Sequence, residues 1–275
     1  MRPSGLAIAD RAPPNVRLIS GPGRSQYERG NLLFRCSEPG GDVLLKIYRQ
    51  RKSRWNDFWA NVSERWFEGK RGVAPARRRA TEAAGLAAWS AAGFDVPRLV
   101  ERERPDWAGD HPILAMEFVD GPTLHEALGD RARSPAERRR LVGQLARDYA
   151  HRHRCALERG DPLLVHEHAM ARHVFVSEGR LVTFDFEHAY RPGFPLSVAI
   201  AFELSSTLRS LERLGAEAFD AYVDGYAEPR ILEESCRLFR SPSLRWQLYR
   251  GYEARRRGAT SKTAAIERLA ARLGL

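Results

Sequence analysis

The residues best suited to chemistry lie in the second half of the chain. The segment HEHAMARH, residues 166–173, carries three histidines and one glutamate. The apolar residues that follow it, around a Ser-Glu-Gly turn, predict a two-stranded hairpin over 174–184. This hairpin ends at Asp185. A carboxylate just beyond a buried strand, one hairpin away from a polar loop, suits a metal ion held against a phosphate group.

The histidine segment is compatible with more than one kind of site. His168 in its neutral form, or Glu167 beside it, could accept a proton from a hydroxyl group. His173 could face a metal together with Asp185, although imidazole is a soft ligand for magnesium. If His166 and His168 shared one face, a His/His/His/Asp set would suit zinc or iron. The sequence leaves these interpretations open.

A lysine stands inside an apolar strand in the first half of the chain. Lys46 lies in VLLKIY, residues 43–48, where a charged group needs either a partner or solvent. On an edge strand it would point to solvent. On an inner strand it could bind phosphate, and Glu82 would be its natural partner on the Ala-rich helix predicted over 77–92. A solvated helix glutamate is the alternative for Glu82.

Two further segments could contact a nucleotide. Gly21 and Gly23 form a turn between two strand candidates, and glycine lets backbone amides approach a phosphate, although the same residues also make an ordinary turn. The apolar strand predicted over 112–119 precedes a Gly-Pro break, which is typical of a hinge. A base stacked beside such a hinge would bond to its backbone, at Glu117 and Val119.

The segment from Arg49 to Arg71 combines basic side chains with aromatic residues at helical spacing. A basic amphipathic helix with three tryptophans can lie at a membrane surface. The same stripe could instead pack on the core. It could also stack on nucleic-acid bases, but no nucleic-acid-binding signature surrounds it.

Composition limits the possible classes. The chain has 275 residues and a formal net charge of +10, which favours anionic partners. Three widely separated cysteines form no disulfide framework and no zinc motif, so a reducing cytoplasm is expected. The N-terminus does not have the pattern of a signal peptide. No apolar run is long enough to predict a transmembrane segment.

Strand patterns dominate the first half and helical patterns the second, which predicts an α+β fold. Residues 1–15 hold three prolines and are expected to form a loose lead-in. Apolar residues at helical spacing predict helices at 138–153 and 199–214, and four more in the last sixty residues of the chain.

These features follow one another in an order that resembles the protein-kinase-like superfamily. The order is a glycine turn, VLLK, a helix glutamate, a strand ending in DGPTL, a histidine loop and DFE. Within the superfamily, the chain resembles bacterial lipopolysaccharide core kinases, which phosphorylate heptose or Kdo sugars. The segment EAAGLAAWSAAGFDVPRLV, the basic tryptophan-rich insertion and the final histidine of HEHAMARH carry this likeness, which covers roughly residues 16–225.

The resemblance implies an ATP-dependent phosphotransferase with a bilobal fold, using ATP and Mg²⁺. The sheet-rich N-lobe would span 16–119 and the helical C-lobe 120–275. The acceptor would be a lipid-anchored sugar, and the protein would be cytoplasmic, at the inner membrane surface. Nucleic acid is not an expected partner. The implied site consists of nucleotide-binding Gly21, Gly23, Lys46, Glu82, Glu117 and Val119, metal ligands Asp185 and His173, and catalytic candidates His168, Glu167 and His166.

One position departs from the pattern of the superfamily. Related kinases carry aspartate where this chain has His168, and that carboxylate orients the acceptor hydroxyl and accepts its proton. A neutral imidazole can accept a proton but lacks the negative charge. The sequence therefore supports two functions: an active sugar kinase, or a pseudokinase that binds a nucleotide or regulates a partner without transferring phosphate.

Overall fold

The first half of the chain forms an antiparallel sheet. The computed structural model describes residues 8–19, 30–49, 74–257 and 261–275. Neighbouring strands of the sheet follow chain order, and each pair is antiparallel. The strands are Val16–Leu18 (β1), Leu32–Cys36 (β2), Val43–Ile47 (β3) and Ile113–Glu117 (β4).

Strand β3 lies inside the sheet and carries Lys46. The lysine is paired in register with Leu33 of β2 and Leu114 of β4. Successive side chains of a strand point to opposite faces, so Lys46 lies on the face opposite Leu45 and Ile47. Its side chain is buried, with a relative exposure of 6%. An edge-strand lysine that points to solvent is therefore excluded.

One long helix crosses the sheet between β3 and β4. It spans Pro75–Ala91 (α1) and begins with a proline in its first turn, where the missing N–H has no intrahelical partner to lose. Its start lies two residues before the predicted one. Arg78, Glu82, Gly85 and Trp89 are buried on one face, at the three- and four-residue intervals of a helix.

The second half of the chain is mostly helical. A short hairpin of Val174–Ser177 (β5) and Arg180–Thr183 (β6) interrupts the helices. The predicted α+β order, with the sheet first and the helices after it, is confirmed. The helices are Leu124–Gly129 (α2), Pro135–Arg159 (α3), Leu196–Glu212 (α4), Ala216–Gly225 (α5), Pro229–Arg240 (α6), Leu244–Arg257 (α7) and Lys262–Arg272 (α8).

Two hydrophobic cores correspond to two lobes. The smaller core joins the outer face of the sheet, around Phe34 and Leu45, to Ile8. The larger core joins α3 and α4 and extends up to Leu86 and Trp89 of α1. Because Ile8 is only 2% exposed, the expectation of a loose lead-in does not hold at that residue.

Some local predictions differ from the structure. The segment between α1 and β4 makes a bridge between Leu99 and Met116, with the Val100 N–H donating to the Ala115 carbonyl. The helix predicted over 138–153 extends further at both ends, from Pro135 to Arg159, and begins with a capping box at Ser134. Within the described residues, no helix is both long and apolar enough to cross a bilayer.

Candidate active site

A lysine and three carboxylates meet where the two lobes face each other. Lys46 Nζ lies 2.7 Å from Glu82 Oε2, 3.0 Å from Asp185 Oδ1 and 2.8 Å from Glu187 Oε1. Strand β3 supplies the lysine, α1 supplies Glu82, and the segment after β6 supplies the other two. The Tyr48 hydroxyl also donates to Glu82 Oε2, at 2.5 Å. The structure thus brings Lys46, Glu82 and Asp185 of the predicted site together.

The charges in this cluster shift one another's pKa. Burial alone would lower the pKa of Lys46, but Glu82 and the other carboxylates raise it well above its usual value. Burial would raise the pKa of Asp185, but Lys46 and His173 hold it well below its usual value. Burial, with Asp185 and Glu187 nearby, raises the pKa of Glu82 to about 7 in spite of Lys46. Although both carboxylates contact the same ammonium group, Glu82 is therefore easier to protonate than Asp185.

A buried arginine holds the third carboxylate. Arg78 is fully buried in α1, one turn before Glu82, and its Nη1 donates to Glu187 Oε2 at 2.7 Å and to Asn31 Oδ1 at 2.9 Å. Asn31, just before β2, in turn donates to Glu187. No sequence pattern assigns a role to Arg78, Asn31 or Glu187. The i, i+4 spacing of Arg78 and Glu82 indicates a shared helix face. However, Glu187, the partner of Arg78, comes from a distant segment.

The hairpin places Asp185 at the end of β6. Its turn has positive φ at both central residues, 50° at Glu178 and 78° at Gly179, which is the conformation of a type I′ turn. Phe175 and Phe184 stack across the hairpin, with ring centroids 4.4 Å apart. Asp185 has a φ of 71°, in the left-handed region that aspartate tolerates better than most side chains. The metal loop, residues 184–187, therefore turns sharply into the site.

Helix α1 packs directly on the metal loop. A Cβ added to Gly85 would lie 3.0 Å from the Cβ of Phe186, so a larger side chain would displace the phenylalanine. The Trp89 ring contacts Phe186 edge-on, with centroids 4.7 Å apart. The absence of a side chain at Gly85 therefore sets how closely the glutamate helix approaches the aspartate.

His166 fixes the shape of the histidine loop, residues 166–173. Its Nδ1 lies 3.1 Å from the backbone N of His168, and its Nε2 lies 3.1 Å from the Phe184 carbonyl. A backbone N–H needs an acceptor, so Nδ1 accepts and Nε2 carries the proton. Burial lowers the pKa of His166. Because both nitrogens are engaged, His166 positions the loop and is not placed to accept a substrate proton, in contrast to its assignment among the catalytic candidates.

A buried ionic network supports the histidine loop from below. Glu203 of α4 accepts the His166 backbone N–H at 2.9 Å and binds Arg152 and His153 of α3. The Tyr226 hydroxyl lies 2.6 Å from His153 Nδ1. Burial would raise the pKa of Glu203, but Arg152 and His153 lower it to about 2. No sequence pattern indicates this network, since its charged members lie on two helices that look ordinary in sequence.

His173 presents one nitrogen to the metal loop. Its Nδ1 lies 2.7 Å from the His168 carbonyl, which fixes the proton on Nδ1, and its Nε2 lies 3.7 Å from Asp185 Oδ2. Arg172 Nε donates to Nε2 at 3.2 Å. Burial lowers the pKa of His173 to about 4. A neutral imidazole with its N–H on a carbonyl is a common form of a metal ligand, but a metal at Nε2 would have to replace the hydrogen bond from Arg172.

His168 and Glu167 differ strongly in exposure. The His168 side chain is 46% exposed, whereas that of Glu167 is 2% exposed, and His168 Nδ1 lies 3.7 Å from Glu167 Oε2. The His168 ring also lies against that of His173, with centroids 5.4 Å apart and planes tilted by 30°. His168 therefore lies at the solvent-exposed edge of the site, next to His173.

The donor set fits a hard divalent cation better than zinc or iron. Among the described residues, carboxylate oxygens of Glu82, Asp185 and Glu187 all lie within 4.8 Å of one another. Magnesium prefers such oxygen ligands. Lys46 and Arg78 also contact these carboxylates. The alternative His/His/His/Asp set is incomplete, because both nitrogens of His166 are engaged.

The remaining predicted residues lie at the hinge or outside the described residues. Glu117 ends β4, and its backbone N–H already donates to the Arg98 carbonyl. Val119 follows two residues later, half-buried, before Gly121. Gly21 and Gly23 lie outside the described residues. Residues 50–73, which include the whole basic segment except Arg49, also lie outside them. Their roles therefore remain predictions.

Comparison with known proteins gives structural matches only. No family model and no curated protein matches the sequence. A structure of WaaP in complex with acyl carrier protein is 17% identical, with a TM-score of 0.43, and the match covers 89% of this chain and 85% of that one. The kinase domain of Mycobacterium tuberculosis PknI is 18% identical, with a TM-score of 0.36, over 94% of this chain and 96% of that one.

The fold assignment rests on the arrangement of the chain itself. A four-stranded antiparallel sheet with a crossing helix precedes a mostly helical lobe. An inner-strand lysine contacts a helix glutamate, and the aspartate after a hairpin of the second lobe completes the cluster. This is the bilobal arrangement of the protein-kinase-like fold, and that predicted fold class is confirmed.

Proposed function

We propose that this protein is an ATP-dependent phosphotransferase. The observation that carries the proposal is the position of Lys46, whose Nζ contacts both Glu82 and Asp185. A lysine oriented by a helix glutamate, and facing a metal-binding aspartate, is the arrangement that holds nucleotide phosphates for transfer. Each of the three residues comes from a different element, so the arrangement depends on the fold and not on local sequence.

The residues have separable roles in this scheme. Lys46 binds the nucleotide phosphates and Glu82 orients it. Asp185 and His173 hold Mg²⁺, with Glu187 close enough to contribute an oxygen. When bound, Mg²⁺ compensates charge on the phosphate oxygens. At the hinge, adenine would use the carbonyl of Glu117 and the N–H of Val119, because the Glu117 N–H already bonds to Arg98.

The proposed acceptor is a sugar hydroxyl on a lipid-anchored molecule. The support is the resemblance of EAAGLAAWSAAGFDVPRLV and of the basic tryptophan-rich segment to lipopolysaccharide core kinases. That segment would lie against anionic lipid at the inner membrane surface. His168 or Glu167 would act on the acceptor hydroxyl, since His168 is half-exposed and the buried Glu167 lies 3.7 Å from its ring.

Nucleotide binding tests the first half of the proposal. Mg²⁺-ATP is expected to raise the melting temperature of the wild type by several degrees. EDTA, or Asp185→Asn, should abolish the shift. Asp110→Asn is the matched control, because Asp110 is fully exposed and lies 3.7 Å from Arg104. A wild type that binds no Mg²⁺-ATP by thermal shift or calorimetry would contradict the proposal.

The second candidate function is a pseudokinase. The observation that favours it is the imidazole of His168 where an aspartate is expected. Phosphate transfer from labelled ATP to heptose, Kdo or water separates the two functions. Transfer by the wild type supports the enzyme. Binding of Mg²⁺-ATP without transfer, together with transfer by His168→Asp, identifies a pseudokinase.

A further inference from the structure

A buried carboxylate, Glu167, lies one residue before His168, the position where related kinases carry their catalytic aspartate. Glu167 is buried, with a side-chain exposure of 2%, and its Oε2 is 3.7 Å from Nδ1 of the half-exposed His168. A buried carboxylate is costly unless it meets a donor or a cation. The imidazole Nδ1 is such a group, and it belongs to the residue that replaces aspartate.

The other two histidines of the loop are committed elsewhere. Both nitrogens of His166 bind backbone groups, and His173 uses Nδ1 on the His168 carbonyl while its Nε2 faces Asp185. His168 is therefore the histidine of this loop that combines an exposed ring with a carboxylate at its Nδ1.

We propose that Glu167 and His168 form a carboxylate–imidazole pair, in which buried Glu167 orients the ring and His168 accepts the proton of the acceptor hydroxyl. This proposal rests on the proposed phosphotransferase function. The 3.7 Å between His168 Nδ1 and Glu167 Oε2 is an ion-pair distance, and a small rotation of the half-exposed ring would let Glu167 accept the Nδ1–H. That contact would fix one tautomer and one ring orientation and leave the Nε2 lone pair for the acceptor hydroxyl. In unrelated enzymes, a carboxylate orients an imidazole in the same way, and the imidazole accepts the proton of a hydroxyl nucleophile.

The step conserves atoms and charge. The acceptor oxygen forms a bond to the γ-phosphorus of ATP, and the bond between that phosphorus and the β,γ-bridging oxygen breaks, releasing ADP. The hydroxyl proton moves to His168 Nε2. Glu167 stabilises the resulting imidazolium, which then loses its proton to solvent. Glu167 is thus a positioning residue, and His168 is the group that contacts the substrate.

Steady-state hydrolysis of Mg²⁺-ATP, with water as acceptor, tests the pair without knowledge of the natural acceptor. Glu167→Gln and His168→Asn are each expected to lower kcat by about 10²-fold. Their Kd for Mg²⁺-ATP should stay within about twofold of the wild type, because the side chains that hold Lys46 are Glu82, Asp185 and Glu187. The double variant should be no slower than either single variant, since two residues that act as a unit are not additive.

A matched control separates a positioning role from a structural one. Glu253→Gln removes an equally buried carboxylate, 3% exposed, that accepts the Lys262 backbone N–H far from the site. It should change stability without changing kcat. If Glu167→Gln behaves like this control, Glu167 is only structural and the proposal fails.

The remaining outcomes are also decisive. Loss of activity in Glu167→Gln with full activity in His168→Asn would make Glu167 itself the proton acceptor. Multiplied losses in the double variant would make the two residues independent. A wild type that binds Mg²⁺-ATP but transfers nothing, while His168→Asp does, overturns the pair and leaves the nucleotide site intact. Absence of binding in the wild type contradicts the proposed function instead.

Discussion

At the scale of single residues, Lys46 stands out as one ammonium group shared by three carboxylates. Removing it leaves Glu82, Asp185 and Glu187 with Arg78 as the neighbouring cation. A buried charge whose partner is removed costs about 3–5 kcal/mol. Lys46→Met should therefore lower the free energy of unfolding by about that amount in the absence of nucleotide, as measured by urea denaturation.

Removing one of the carboxylates should have a different effect. Asp185→Asn loses the ion pair with Lys46 but relieves the repulsion with Glu82, and asparagine tolerates the left-handed backbone of that position. Its unfolding free energy should stay within about 1 kcal/mol of the wild type while Mg²⁺-ATP binding is lost.

Lys262→Met is the matched control for Lys46→Met, because it removes a buried lysine outside the site, where Lys262 lies over the Phe202 ring. Equal midpoints for Lys46→Met and the wild type would mean that the cluster does not form in solution.

At the scale of secondary-structure elements, the approach of α1 to the metal loop depends on Gly85. Gly85→Val would place side-chain carbons where Phe186 now lies, and would push the segment that carries Asp185 away from Lys46. Mg²⁺-ATP affinity should fall about tenfold or more, as measured by calorimetry, because a displaced aspartate no longer faces the lysine. Ala87→Val, on the exposed face of the same helix, introduces the same β-branched side chain away from Phe186 and should bind normally. Equal affinities in the two variants would contradict this role of Gly85.

The elements also show what the sequence could and could not predict. Strand and helix periodicity, with the order of motifs, placed Lys46 and Glu82 on the correct elements, and turn residues placed the hairpin before Asp185. Arg78 and Glu187 were missed because their contact joins positions 109 residues apart, and no local pattern encodes it. Glu203 was missed for the same reason. Its carboxylate looks like a solvated charge on a helix until the packing of α3 against α4 buries it.

At the scale of the whole molecule, the larger lobe is built around buried ionisable groups. Glu203, Arg152 and His153 lie between α3 and α4, beneath the loop that carries the candidate catalytic residues. Glu203 has a pKa of about 2, so its contribution to stability is present above pH 4.5 and is lost below it, as the pH falls toward 2. The histidine responds at higher pH, so acid should weaken this lobe in two separate stages.

The first stage can be assigned to a residue. Burial lowers the pKa of His153 although Glu203 opposes the shift, so the unfolded chain binds a proton more readily than the folded protein does. The contribution of neutral His153 to the free energy of unfolding is therefore present above pH 6.5 and is lost as the pH falls below that value. Melting temperatures measured from pH 7.5 to pH 5 in EDTA should fall for the wild type and fall less for His153→Gln.

His151→Gln provides the matched control for this slope, because His151 lies two residues earlier on the same helix and is exposed. It should show the wild-type slope. His153→Gln should also be less stable than the wild type at pH 7.5, since it loses a partner of both Tyr226 and Glu203. His166 and His173 carry pKa shifts of the same sign, so the slope should flatten without vanishing. Parallel slopes for His153→Gln and His151→Gln would show that His153 is not held neutral between the two helices.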